Sequence, residues 1–280
     1  MEAKYTIIQS FWTKPIKDKD KLKQLLYISA LSLTYAHRSG YKVNMHTDSQ
    51  GYEFLKDFGY DNLYKTLDEI PETVPTELFA AGKFYAMKAE GITGKLHIDF
   101  DVFIKSSHLL DRFYEDKTID IFAQQEENYE QICKFDKLIQ AMHVIGYPST
   151  TRPNWKGSIN TGIIGFNNRE LANKYFNNYF SALKIYTQEQ FNKYKEKNIK
   201  AQLTFDFILE QVTLSYYSIG YNVYTLVPTN NPTIIADKIG YQHLQGTIKW
   251  EKHSQIIIKQ LLESFNVELY NVVTNIIKNI

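Results

Sequence analysis

The chain has 280 residues, of which 44% are hydrophobic and 15% aromatic, with a formal charge of +1 and a single cysteine. That length and apolar content exclude a disordered chain and suit one large α/β domain or two small ones. A charge this close to zero argues against a nucleic-acid binder, which needs a net basic face to displace counterions from phosphates.

Cys133 has no partner for an internal disulfide or a cysteine-rich zinc site, which points to a reducing compartment. Met1–Lys4 opens no apolar leader, and no run approaches the ~20 apolar residues that span a bilayer, so a cytoplasmic protein is expected. The 21 Tyr and 17 Phe accompany abundant Lys, Ile and Asn, with arginine only at 38, 112, 152 and 169. That profile would follow from an AT-rich genome, so aromatic richness alone does not indicate sugar binding.

The first half alternates strand and helix patterns. Tyr5–Phe11 is a β-rich run closed by Lys14-Pro15. Lys21–Arg38 has helical spacing, with Leu22, Leu25, Leu26, Ile28, Leu31 and Leu33 on a broad apolar face, and Ser39-Gly40 stops it. Tyr41–His46 reads as a strand, Gln50–Phe58 as a helix and Leu63–Tyr64 as a short strand. Glu77–Ala89 is helical, and Gly94–Asp99 is a strand ending in acidic residues. This alternation predicts a mainly parallel sheet covered by helices.

The second half is less regular. Ile119–Ala123 and Ile159–Phe166 read as strands; Tyr129–His143, Arg169–Ile185 and Gln202–Ser218 read as helices. Gly146–Gly157 is a loop rich in helix breakers. One or two amphipathic helices follow Lys249. We expect one domain over residues 1–250 and a C-terminal helical extension, 251–280, packed on it. A peripheral membrane helix is the alternative for Ile256–Ile280, although Glu263 and Glu268 weaken its basic face.

An isolated D-x-D pair arises by chance in roughly half of chains this long, and Asp18-Lys19-Asp20 is such a pair in a solvated charge run. Asp99 and Asp101 differ because an apolar strand precedes them and Val102-Phe103-Ile104 follows. In an extended chain the two would point to one side, roughly 6–7 Å apart at Cα, where open α/β sheets bind ligands. Two like charges there call for a hard divalent cation shared with a diphosphate, the bland alternative being carboxylates that cap backbone N–H groups. A second constellation is His243-x-x-Gly246-x-x-Lys249: an imidazole ligand, a close backbone approach and a mobile cation for phosphate oxygens.

Together these motifs resemble the family-8 glycosyltransferases, D-x-D enzymes of the GT-A fold. The resemblance implies a GT-A-type nucleotide-binding α/β domain with a mainly parallel mixed sheet flanked by helices. It implies Mn2+ or Mg2+ held by Asp99, Asp101 and His243, with Gly246 and Lys249 on the diphosphate. Trp250 directly follows Lys249, so the family's intervening proline is absent. Asn160-Thr161-Gly162 resembles the strand that lines the donor-sugar pocket. Glu210-Gln211 resembles the acidic-Gln pair near the reacting carbon, with Glu for Asp, and Asp206 shares its helix face.

Lys83 falls where related enzymes place a basic nucleotide contact, a solvated helix lysine being the alternative. Gln9, Ser10, Thr47 and Asp48 fall where such enzymes hold the nucleoside. The implied activity is hexosyl transfer from a nucleotide diphosphate sugar to a hydroxyl of a glycan or lipid-linked acceptor, in bacterial surface-glycan synthesis and with retention. Glu126, Glu127, Asp206 and Glu210 could each serve as the base of an inverting reaction instead. Two readings compete: a metal-dependent nucleotidyltransferase, for which no Gly-rich phosphate loop is found near the N-terminus, and a non-catalytic sugar-binding protein on the same fold. Work at the inner face of the membrane would follow from a lipid-linked acceptor.

Overall fold

The computed structural model describes residues 5–128, 157–185, 206–227, 238–244 and 248–280, with Thr187 and Ala236. The helix expected over Tyr129–His143, most of the loop before Gly157, and Gly246 lie outside the described residues.

The first half runs β1 (Tyr5–Phe11), α1 (Lys19–Arg38), β2 (Tyr41–Thr47), α2 (Ser49–Leu55), β3 (Asn62–Tyr64), α3 (Ala81–Ala89), β4 (Leu96–Ile98) and β5 (Val102–Ile104). Then come α4 (Asp111–Glu115), β6 (Ile121–Asn128), β7 (Gly157–Phe166) and α5 (Arg169–Ile185). A π-helical segment, Ile208–Val212, leads into α6 (Thr213–Tyr217), followed by β8 (Val223–Val227), β9 (Tyr241–His243), α7 (Lys252–Phe265) and α8 (Val267–Lys278). The helix expected from Glu77 begins at Ala81, because Leu78 and Ala81 close successive tight turns onto Pro75 and Leu78.

The main sheet has the strand order β3-β2-β1-β4-β7-β6-β8. β7 runs antiparallel to both of its neighbours, and every other pairing in that sheet is parallel. A second, two-stranded sheet pairs β5 with β9 antiparallel. This is the mainly parallel mixed α/β architecture that the alternating pattern predicts.

Helices cover both faces. Asp18 caps α1 by accepting from the amides of Asp20 and Lys21. Every residue from Leu25 to Thr34 is buried, because the sheet packs on one side of α1 and α7 and α8 pack on the other. Ile258, Leu262, Leu269 and Val273 of those two helices belong to the same core as β1, β2 and β4. The polar residues of α1 survive burial because each finds a partner: Ser29 meets the Tyr60 hydroxyl, and Ser32 donates to the Val102 carbonyl. Among the described residues, no helix is long and apolar enough to cross a membrane.

On the opposite face, α3, α5 and the π-helical segment form an aromatic core around Phe84, Tyr175, Phe176 and Tyr179. The Tyr175 hydroxyl donates to the Glu210 carbonyl at 2.7 Å, and the Tyr179 hydroxyl to Asp206 Oδ1 at 2.9 Å. Part of the tyrosine excess therefore has a packing role, with an apolar ring in the core and a polar tip that fixes a neighbour.

Candidate functional site

The site forms where β4 ends. Its strand stops at Ile98, and the Val102 amide donates back to the Asp99 carbonyl at 2.9 Å, so Asp99-Phe100-Asp101 is a turn. The extended spacing expected for the two aspartates is thus replaced by a bend that re-aims the chain into β5. β5 then pairs with β9 so that Val102 lies opposite His243, and the Leu244 amide donates to the Asp101 carbonyl at 3.0 Å. The Asp99 amide donates to the Gly162 carbonyl at 2.8 Å, which fastens the turn to β7. Segments about 140 residues apart in sequence are joined by backbone hydrogen bonds before any side chain is considered.

Ligand atoms of Asp99, Asp101 and His243 lie within 4.8 Å of one another. His243 Nε2 is 3.3 Å from Asp101 Oδ1, and Lys249 Nζ is 2.5 Å from Asp101 Oδ2. On the Asp99 side, Lys83 Nζ is 3.0 Å from Asp99 Oδ1 and 2.5 Å from Glu210 Oε1, and donates to the Thr161 carbonyl at 2.8 Å. The solvated-lysine alternative for Lys83 is overturned: only 8% of its side chain is exposed. Two carboxylates and an imidazole converging on one point are a donor set that could hold a divalent cation.

The electrostatics of the two aspartates diverge. Partial burial holds Asp99 above the ordinary carboxylate value, with Lys83 opposing and Asp101 and Glu210 adding to the rise. Burial works to raise Asp101 as well, but His243 and Lys249 outweigh it and hold Asp101 below the usual carboxylate range. Burial also opposes the charge on Lys83, yet Asp99 and Glu210 win and raise its pKa above that of an ordinary lysine.

The remaining expected residues separate by placement. Thr161 is fully buried and donates to Glu210 Oε1 at 2.6 Å, so it belongs to the Lys83 network. Asn160 bonds inward, its Oδ1 accepting from the Gly162 amide at 3.0 Å and its Nδ2 donating to Glu127 at 3.2 Å. Gly162 leaves room for protein rather than for a sugar: a Cβ there would lie 2.1 Å from Gln124 Oε1 and 2.7 Å from His243 Cε1.

Asp206 is fully buried, accepting from the Ala80 amide at 2.6 Å and from Tyr179, so it anchors the start of α3. Burial lifts its pKa to about 8, with Glu210 adding. Gln211 Oε1 is buried and has no hydrogen-bond partner among the described residues. Gln9 and Thr47 are fully buried, bonded to Ser32 and to the Phe11 carbonyl, and Asp48 accepts from Thr13. Gln9 and Thr47 therefore brace the ends of β1 and β2, whereas Asp48 also lines an open cavity with Trp12, Thr13 and Gln50. Sequence reasoning missed Gln124, whose Oε1 is 2.9 Å from His243 Nδ1. Nothing local marks it, because its role depends on a strand pairing across the sheet.

The mainly parallel mixed sheet flanked by helices is of the GT-A type, as its similarity to solved structures shows. The chain belongs to the family described as a family of unknown function, DUF6734, whose profile matches residues 5–276. No curated protein matches it. Among solved structures, it is similar to the bifunctional glycosyltransferase WbbM in its apo form, with 13% identity and a TM-score of 0.50. That similarity covers 97% of this chain and 52% of the other, so the chain spans about half the length of WbbM. The galactosyltransferase LgtC with donor and acceptor sugar analogs is similar at 13% identity and a TM-score of 0.46, covering 93% of this chain and 96% of that one. The glycosyltransferase GlyE of Streptococcus pneumoniae TIGR4 is similar at 11% identity and a TM-score of 0.46, covering 99% and 64%.

Proposed function

We propose that this protein is a metal-dependent glycosyltransferase that moves a hexosyl group from a nucleotide diphosphate sugar to a hydroxyl of a glycan or lipid-linked acceptor. The observation that carries this reading is the convergence of Asp99, Asp101 and His243 beyond the central strand, with a lysine on either side. Mn2+ or Mg2+ held by those three residues would supply Lewis-acid neutralisation of the departing diphosphate.

The chain's own groups divide the remaining work. Lys249, on a segment that ends in the C-terminal helices, brings a mobile positive charge to phosphate oxygens. Lys83 is held by Asp99, Glu210 and Thr161, so it sets the position of Asp99 rather than reaching outward. Gln211, with its amide oxygen free of described partners, is the group we assign to the donor sugar. Of the carboxylates that an inverting reaction could recruit, Asp206 and Glu210 are buried and already bonded. Glu127 is bonded to Ser158 and Asn160 while Glu126 is exposed, so what supports retention is the family-8 resemblance. We place the reaction in the cytoplasm, at the inner face of the membrane when the acceptor is lipid-linked.

The test is Asp101→Asn assayed with a panel of nucleotide sugars and Mn2+. Metal-dependent transfer should be lost while the variant still melts cooperatively. Unchanged turnover in that variant refutes the assignment, and NMR of the product's anomeric configuration decides retention.

A further inference from the structure

We propose that Gln124, seated on the bare Cα of Gly162, is a positioning residue that keeps the proton of His243 on Nδ1 and turns its Nε2 lone pair toward Asp99 and Asp101. The inference rests on the metal-dependent reading above. A neutral imidazole carries one N–H and one lone pair, and the hydrogen bond made by one nitrogen decides what the other presents. Only the tautomer with Nδ1 protonated leaves Nε2 free to ligate a cation.

Three observations meet at this point. His243 Nδ1 lies 2.9 Å from Gln124 Oε1, a carbonyl oxygen that can only accept. Nε2 is on the opposite edge of the ring, 3.3 Å from Asp101 Oδ1, where that carboxylate competes for the ring proton and a bound cation would take the proton's place. Gln124 is 1% exposed, so water does not compete for its oxygen.

The floor beneath the pair is Gly162. A Cβ there would sit 2.1 Å from Gln124 Oε1, and 2.7 and 2.9 Å from Cε1 and Nδ1 of His243. Any side chain would push both groups off the strand. The pairing of β6 with β7 is also irregular in register at this point: Ala123 faces Ile164, but Gln125 faces Asn160. Such an irregularity re-aims a side chain that a regular ladder would point elsewhere. Second-sphere hydrogen bonds of this kind orient metal-ligating histidines and raise their basicity.

Two measurements test it on the full chain. Long-range 15N–1H NMR of the metal-free protein, at a pH where the ring is neutral and with His243 assigned through H243N, should find Nδ1–H in the wild type. Q124E, which keeps an acceptor oxygen, should retain that tautomer, and Q124L should lose it. Calorimetric titration with Mn2+ alone should then give an affinity about 10–100-fold weaker for Q124L, and weaker for G162A, with Q124E close to wild type. A neutral Nε2–H tautomer in the wild type overturns the proposal, and needs no variant to fold. So does wild-type Mn2+ affinity in folded Q124L. If the wild type has the Nδ1–H tautomer but binds no Mn2+ with or without a sugar nucleotide, the metal-dependent reading fails, and the purpose assigned to Gln124 fails with it.

Discussion

Lys83→Met removes an ammonium that Asp99, Glu210 and the Thr161 carbonyl surround, while keeping most of the volume of the stem. The two carboxylates do not suffer equally. The Asp99 side chain is 30% exposed and can recover hydration, whereas Glu210 is 6% exposed and keeps a buried charge without its counter-ion. Removing one partner of a buried pair costs about 3–5 kcal/mol. Thr161 still donates to Glu210 at 2.6 Å, which places the expected loss at the lower end, about 3 kcal/mol. Glu210→Gln alone should cost less, because Lys83 keeps Asp99. In the double variant both charges of the pair are gone, so its cost should fall short of the sum of the singles by roughly 1–3 kcal/mol. Urea denaturation at pH 7, with unchanged m-values, measures all three. A K83M protein within about 1 kcal/mol of wild type, or single costs that add within about 0.5 kcal/mol, would refute the buried network.

Asp206 should make stability depend on pH. Its folded pKa is raised to about 8, above the ordinary carboxylate value, so its contribution is complete below about pH 4 and is lost as pH rises through about 8. Asp206→Asn should flatten that fall, which reaches up to about 1.4 kcal/mol per pH unit; parallel wild-type and variant curves of urea midpoint against pH would contradict it. Gly165→Ala places a Cβ 2.6 Å from Leu96 Cδ2 and 2.9 Å from the Phe113 ring, and should cost about 1–3 kcal/mol by overpacking. An unchanged Tm would show that those side chains yield freely. Deleting residues 251–280 uncovers the flank of α1 on which Ile258, Leu262, Leu269 and Val273 pack, so the truncated chain should lose its cooperative melt. A melt near that of the full chain would refute a shared core.

The alternating elements of the first half were legible because their signals are local. Leu22 through Leu33 declare a helix by spacing, Ser39-Gly40 ends it, and the β1 and β2 runs are compact and bounded. The short strands β8 and β9 were not legible. β9 is three residues long and exists as a strand because β5 supplies its hydrogen bonds. Expecting an extended Asp99–Asp101 segment failed for a related reason: the turn is held by Gly162 of β7 and by the departure of β5, and both are remote in sequence.

The sequence by itself determined the class of architecture and the charge balance, because residue type and local period suffice for those; Asp99 and Asp101 stood out by their place after an apolar strand, and His243, Lys249 and Glu210 by their resemblance to family-8 motifs. Tertiary structure alone decided which groups meet. It buried Lys83 between two carboxylates, turned Asp206 and Thr161 inward, and set the His243 ring on Gly162 beside Gln124. The physical reason is that hydrogen bonds and ion pairs depend on distances of about 3 Å. Sheet pairing creates those distances between residues that no local pattern connects.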